Sequence, residues 1–167
     1  LVTFTRNGVD SIGYVPFSSL WGGSESEARA IVCKPSQGSR PFSGEVLKQT
    51  DVGEHRLRVL ASSDDVVVKL KDGNSTVLAF YVRAGESGEV TSVPSGIYNV
   101  MFATGSNFSL PCLEFRTFAS VQSDPNKKSF LVRSDGRGSY LEGYSYDLNL
   151  RVDGTLKMKP ESNERFR

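Results

Sequence analysis

Apolar and polar residues alternate along most of the chain from His55 onward, with the period of two that is typical of β-strands. The runs are RLRVL, VVVKLK, STVLAFYV, EVTSV, IYNVMFA, FRTFASV, SFLVRS, SYLEGYSYDLNLRV and TLKMK. Turn residues separate them, and hairpin signals stand at Asp72–Asn74 and at Asp153-Gly154. About eight or nine short strands at this spacing predict an all-β fold, namely an antiparallel β-sandwich or a partly open barrel.

The alternation also predicts which side chains face the core. In the run 140–152 the inward residues are the even-numbered ones: Tyr140, Glu142, Tyr144, Tyr146, Leu148, Leu150 and Val152. In the other runs the inward set is Val66, Val68, Leu70, Tyr98, Val100, Phe102, Phe130 and Val132. The outward set includes Lys69, Lys71, Asn99 and Arg133. These apolar residues suffice for one continuous core.

The first 50 residues have a different pattern, rich in Gly, Pro and Ser. One stretch near 25–32 is helical in character, with Ser24 as the N-cap and Glu27 completing a capping box. Pro35, Gly38 and Pro41 then interrupt regular structure. We therefore predict an irregular N-terminal arm over 1–50, containing one short helix, and a β-sandwich domain over 51–167.

Composition narrows the class of function. The 167 residues carry 20 Lys and Arg against 19 Asp and Glu, for a formal net charge of +1. Nucleic-acid binding usually requires clustered positive charge, so no nucleic-acid partner is expected. No apolar run reaches the roughly 18 residues of a spanning helix, so no membrane span is expected in this chain either.

Residues that could carry catalysis are few. The one histidine, His55, stands between a turn and a strand, where an exposed polar residue is ordinary. Metal-ligand spacings and phosphate-binding loops do not occur, so neither a metal nor a cofactor is expected. Asp64 and Asp65 are adjacent and are interpreted as solvated turn charges. The sequence predicts no catalytic residue, although a carboxylate pair from distant strands would leave no local signal.

The two cysteines, Cys33 and Cys112, allow two interpretations. A disulfide between them would tie the arm to a later loop and would require an oxidising compartment. Alternatively, both are unpaired thiols of a protein in a reducing compartment. The first alternative slightly favours an extracytoplasmic or membrane-associated location.

Surface aromatic residues are the candidates for binding. Tyr81 lies on the strand face of Ala79 and Arg83, and Trp21 stands in the glycine-rich arm. Asn107 and Phe108 belong to the loop-like segment before Cys112, where binding residues often occur. The predicted interaction surface therefore comprises Trp21, Tyr81, Asn107 and Phe108.

The segment from Pro41 to about Val152, two-thirds of the chain, contains DVVVKLK, VRAG, VPSGIYNV and ATG in that order. This cadence resembles a group of uncharacterised bacterial β-rich domains. The PSGIYNV part is also similar to a strand of immunoglobulin-like and carboxypeptidase-regulatory-like sandwich modules. The resemblance implies a small accessory β-domain, often attached to a membrane or secreted bacterial protein, and it implies no catalytic residues.

Three hypotheses of function follow. The first is a noncatalytic accessory or protein-interaction domain of a bacterial protein, whose partner is another protein or its own parent chain. The second is a carbohydrate-binding module, and the third is a hydrolase that uses carboxylates from several strands.

Overall fold

The structure is a computed structural model, and it describes residues 2–6, 9–13, 24–35, 40–136, 138–149 and 158–167. The chain divides into two compact units, residues 1–32 and residues 33–167. The larger unit contains the strands predicted from His55 onward, together with the segment 33–50 that was assigned to the arm. The difference from the boundary at residue 50 arises because residues 46–49 form a strand of the larger unit.

The described elements alternate little, since strands dominate. The strands are β1 (Val2–Arg6), β2 (Val9–Gly13), β3 (Val46–Gln49), β4 (His55–Leu60), β5 (Val66–Asp72), β6 (Ser75–Val82), β7 (Ser87–Val93), β8 (Gly96–Ser109), β9 (Glu114–Ser123), β10 (Lys128–Phe130), β11 (Val132–Asp135), β12 (Gly138–Leu141), β13 (Gly143–Asp147) and β14 (Lys159–Pro160). The helices are α1 (Glu25–Val32) and α2 (Asn163–Phe166).

The larger unit is built as a β-sandwich, which confirms the predicted fold class. One sheet has the strand order β14-β9-β8-β5-β6-β3, with β10 paired to β8. The other has the order β13-β4-β7. The core between them takes Leu57 and Val59 from β4 and the even-numbered residues 66, 68 and 70 from β5. Alternation therefore predicted the inner face correctly for these strands and for Tyr98, Val100, Phe102 and Phe130.

The outer face of the larger sheet is also buried, which the sequence did not predict. A second apolar cluster on it joins Val67, Tyr81, Met101, Ala103, Phe108, Phe115, Val121 and Phe166. Lys69 and Lys71 lie on this face and are buried, contrary to prediction. Their ammonium groups donate to the main-chain oxygens of Phe166 and Arg165 at 3.1 and 2.7 Å, so α2 covers them.

The predicted long strand 140–152 is divided. Its first residues form β12, which pairs only with β11 in an exposed hairpin, so Tyr140 and Val132 are exposed rather than inward. Its middle forms β13, which runs parallel to β4, an exception to the antiparallel prediction. Tyr146 is buried and Tyr144 packs against the core, as predicted. Leu150 and Val152 lie outside the described residues.

The smaller unit contains the predicted helix, α1, with the bounds and the cap expected from the sequence. The Ser24 N–H donates to the Glu27 carboxylate at 2.7 Å, and the Glu27 N–H donates to Ser24 Oγ at 3.3 Å, which is a capping box. In addition, β1 and β2 pair in an antiparallel hairpin that was not predicted. The sequence does carry a signal for it, since Asn7-Gly8 separates two alternating runs.

Candidate functional site

A surface pocket of about 240 Å³ lies at the end of the larger sheet where β3 begins. Two segments form its walls: the chain leading into β3, and the end of β8. The lining residues are Arg40, Pro41, Phe42, Glu45, Arg83, Phe108 and Leu110. Part of the predicted interaction segment, Phe108 together with the neighbouring Leu110, therefore lines a concave surface.

Large apolar side chains stand exposed on both walls. Phe42 on the first wall has 62% of its surface accessible, and Leu110 on the second has 46%. Phe108, between them in the lining, is buried. The pocket therefore offers an apolar surface to a ligand without any rearrangement of the buried core.

The floor of the pocket is a fixed cluster of aromatic rings. Phe108 packs edge-to-face on Tyr81 at 5.0 Å between ring centroids, and Phe115 lies 5.9 Å from Phe108. Gly105 allows the end of β8 to approach β9, because a Cβ there would lie 2.2 Å from the Thr117 main-chain oxygen. Packing in this cluster holds Phe108 in one orientation.

Tyr81 is buried in this floor and is not a surface residue, which corrects the prediction that it belongs to the interaction surface. It is buried because the end of β8 and β9 cover its face of the sheet. Its hydroxyl donates to Asp65 Oδ2 at 2.6 Å. Burial and this hydrogen bond raise the pKa of the Tyr81 hydroxyl well above its ordinary value.

Asp65 is likewise part of the structure and not a solvated turn charge. Besides Tyr81, it accepts from the Ala84 N–H at 2.9 Å and from Arg40 Nη1 at 2.9 and 3.1 Å. Burial by itself would raise the pKa of Asp65, yet these hydrogen bonds and the charge of Arg40 together hold it below its ordinary value. The carboxylate stays ionised and fixes the guanidinium at the pocket rim.

Arg83 holds the first wall in place. Its Nε donates to the Pro41 oxygen at 2.8 Å and its Nη2 donates to the Arg40 oxygen at 2.9 Å. The carboxylate of Glu45 accepts from the Phe42 N–H at 3.0 Å. Main-chain conformation on both sides of Phe42 is therefore set before any ligand arrives.

Cys33 and Cys112 form a disulfide, which decides between the two interpretations of the cysteines. Cys112 follows the second wall by two residues, and Cys33 precedes the first wall in the chain, so the bridge connects the chain segments of both walls. Carboxylate oxygen of Glu114 and the two sulfurs lie within 4.8 Å of one another. Both sulfurs are consumed by the disulfide, so this trio offers no thiolate ligands for a metal in this state.

His55 is buried, contrary to the expectation of an exposed side chain. Its Nδ1 lies 2.9 Å from the Glu142 main-chain oxygen, and its Nε2 lies 3.1 Å from Ser95 Oγ. A carbonyl only accepts, so Nδ1 donates to it, and Nε2 of the neutral ring accepts from the Ser95 hydroxyl. The imidazole links β4 to the chain before β8 and β13, a structural role.

The other predicted surface residues divide. Asn107 is exposed, with a positive φ of 58°, next to the pocket residue Phe108. Trp21 lies outside the described residues. Sequence reasoning missed Arg40, Phe42, Glu45 and Arg83, because they lie in segments interpreted as linker or plain strand. A large apolar residue in the polar, Pro-rich stretch 35–45, namely Phe42, was the available signal.

Comparison of the chain with protein-family models, with curated proteins and with solved structures finds no significant match. Neither described helix has the length and apolar character needed to cross a membrane. The fold and the site thus define a class, a β-sandwich with a preformed, partly apolar surface pocket.

Proposed function

We propose that this chain is a noncatalytic β-sandwich domain of an exported bacterial protein, and that it binds a partner protein through the pocket. The observation that carries the proposal is the exposure of Phe42 and Leu110 on facing walls. Exposed apolar side chains gathered around a concave surface are typical of protein-interaction sites. Aromatic anchors and arginines, as found here, are enriched at such sites.

Preorganisation supports the same proposal. The disulfide, the Arg83 hydrogen bonds and the aromatic floor all restrict the walls in the unbound chain. A site that is already ordered loses less conformational entropy on binding, so a small pocket gains affinity.

The hydrolase hypothesis has less support. Of the carboxylates at the pocket, Asp65 accepts four hydrogen bonds and has a lowered pKa, which makes it a poor proton donor and a weak base. His55, the one imidazole, uses both nitrogens to join strands. Carbohydrate binding keeps one observation in its favour, because an exposed Phe42 beside Arg40 and Glu45 could stack on a sugar ring.

Export is part of the proposal. A disulfide between residues 79 apart in sequence is expected to persist in an oxidising compartment and to be rare in a reducing one. The resemblance to bacterial accessory β-domains agrees with this location.

The test compares charged substitutions inside and outside the pocket. The variants are Leu110→Asp in the pocket wall and Val52→Asp, a control whose side chain is 74% exposed and does not line the pocket. Each full-length protein is used to select binders from a displayed random-peptide library and is applied to a glycan array. Peptides that bind the unchanged protein and the control but not Leu110→Asp support the proposal. Glycan binding that Leu110→Asp abolishes, without peptide binding, would establish the carbohydrate alternative instead.

A further inference from the structure

The polar atoms of the pocket lining retain one acceptor and one donor for a ligand. Of the two Glu45 carboxylate oxygens, Oε2 accepts from Phe42, and no residue of the described chain bonds Oε1. Of the Arg83 guanidinium nitrogens, Nε and Nη2 donate to main-chain oxygens, and Nη1 has no partner among the described residues. A ligand therefore meets a carboxylate acceptor and a guanidinium donor together.

Charge at the pocket is balanced. Arg40 is paired with Asp65 at 2.9 Å, which leaves Arg83 and Glu45 as one cation and one anion in the lining. An anionic or cationic ligand would be attracted by one of these groups and repelled by the other. A neutral group that both donates and accepts a hydrogen bond fits this pair better.

A peptide unit is such a group, because its N–H donates and its C=O accepts. The apolar walls suit the side chain that the peptide carries. At about 240 Å³ the pocket is smaller than the roughly 300–1,000 Å³ sites of drug-sized ligands, so it has room for about one side chain and its main-chain amides.

We propose that the pocket binds one large aliphatic or aromatic side chain of an extended segment of the partner protein. The segment's N–H donates to Glu45 Oε1 and its C=O accepts from Arg83 Nη1, while its side chain packs between Phe42 and Leu110. This inference rests on the proposed function and specifies the chemistry of the partner.

The experiment titrates the isotope-labelled full chain with capped amino acids and follows backbone amide resonances of residues 40–45 and 105–113 by NMR. The probes are N-acetyl-leucine N-methylamide, its methyl ester, which lacks the C-terminal N–H, and the corresponding alanine methylamide. We expect the leucine amide to shift these resonances with a millimolar dissociation constant. The ester should bind about three- to tenfold more weakly because it lacks one hydrogen bond, and the alanine amide should bind more weakly still.

Glu45→Gln provides the matched variant. Its amide can still accept from the Phe42 N–H, but it presents an NH₂ donor to the ligand, so the preference for the methylamide over the ester should disappear. Leu110→Asp should abolish the shifts, and Val52→Asp should leave them unchanged.

Equal affinity for the amide and the ester would overturn the main-chain contact, and it would do so even if library peptides bind at the pocket and the proposed function stands. Shifts of the pocket resonances by methyl β-glucoside that exceed those by the leucine amide, or no shift by any capped amino acid, would also overturn the inference.

Discussion

Tyr81 and Asp65 show how single residues prepare the pocket. The tyrosine ring supports Phe108 from below, while its hydroxyl is satisfied by a carboxylate that also holds Arg40 at the rim. A buried hydroxyl without a partner would destabilise the fold, and a buried carboxylate without donors would do so more strongly. Each of the two residues therefore makes the burial of the other tolerable.

Tyr81→Phe is expected to lower the free energy of unfolding by about 1.5 kcal/mol, because it removes a hydrogen bond to an ionised group and leaves the ring in place. Urea denaturation measures the change. Tyr140→Phe is the control, since Tyr140 is 52% exposed, and its effect should stay within about 0.5 kcal/mol. Equal effects of the two substitutions would refute the role assigned to the Tyr81 hydroxyl.

The lowered pKa of Asp65 predicts a loss of stability in acid. As the pH falls below about 5, the unfolded state, in which an aspartate has a pKa of about 3.9, takes up a proton before the folded state does. The stability that Asp65 contributes is complete above that range and is lost as the pH falls through its folded pKa.

The difference in unfolding free energy between the unchanged protein and Asp65→Asn should therefore shrink from pH 6 to pH 3. The control is Asp64→Asn, at an exposed neighbouring carboxylate, for which the difference should not vary with pH. Urea denaturation at each pH measures both. A difference for Asp65→Asn that is constant with pH would contradict the prediction.

At the scale of elements, the short helix α2 has more effect than its four residues suggest. Its Phe166 is fully buried, lies 5.9 Å from the Phe118 ring and receives the Lys69 ammonium over its face at 4.2 Å. Its end is tied to the sheet by Arg167, which bonds the buried Glu114 at 3.1 Å. The helix thereby turns the outer side of the larger sheet into a second apolar cluster.

Phe166→Ala is expected to cost about 3–5 kcal/mol of unfolding free energy, as large-to-small changes in a core do. Phe42→Ala, the same change at an exposed position, should cost less than about 0.5 kcal/mol. Chemical denaturation distinguishes them. A small effect at Phe166 would show that α2 does not contribute to the core.

Elements whose two faces differ were predictable from the sequence, and elements buried on both faces were not. The inner residues of β5 alternate with Lys69 and Lys71, whose charge predicts solvent. Only the distant carbonyls of α2 explain their burial, and local periodicity holds no record of such a contact. The pocket was half predicted for the same reason: Phe108 belongs to a loop-like segment, whereas Arg83 meets Pro41 only in the folded chain.

The disulfide also acts between elements distant in sequence. Closing a loop of this length should stabilise the larger unit by about 4 kcal/mol in the chain-entropy model. Replacing both Cys33 and Cys112 by Ala should lower the unfolding free energy by that amount in urea. A thiol assay of the denatured, unreduced protein should find no free thiol, and two free thiols would contradict the assignment.

At the scale of the whole molecule, the described part of the chain exposes apolar side chains at two prominent places. One is the pocket, with Phe42 and Leu110. The other is the β11–β12 hairpin, where Val132 and Leu141 face each other across the strands. The pocket has a fixed floor and polar atoms that can bond a ligand, whereas an isolated two-stranded hairpin is only marginally stable in water. We therefore assign partner binding to the pocket.

Site-specific photo-crosslinking tests this assignment most directly. A photoreactive amino acid is placed in turn at Leu110 in the pocket, at Leu141 in the hairpin and at Val52 as a control, in bacterial cells that produce and export the protein. We predict a crosslinked protein adduct from Leu110, lost when Phe42 is replaced by Asp, and none from Val52 or Leu141. Adducts from Leu141 alone, or an adduct from Leu110 that persists in Phe42→Asp, would contradict the account.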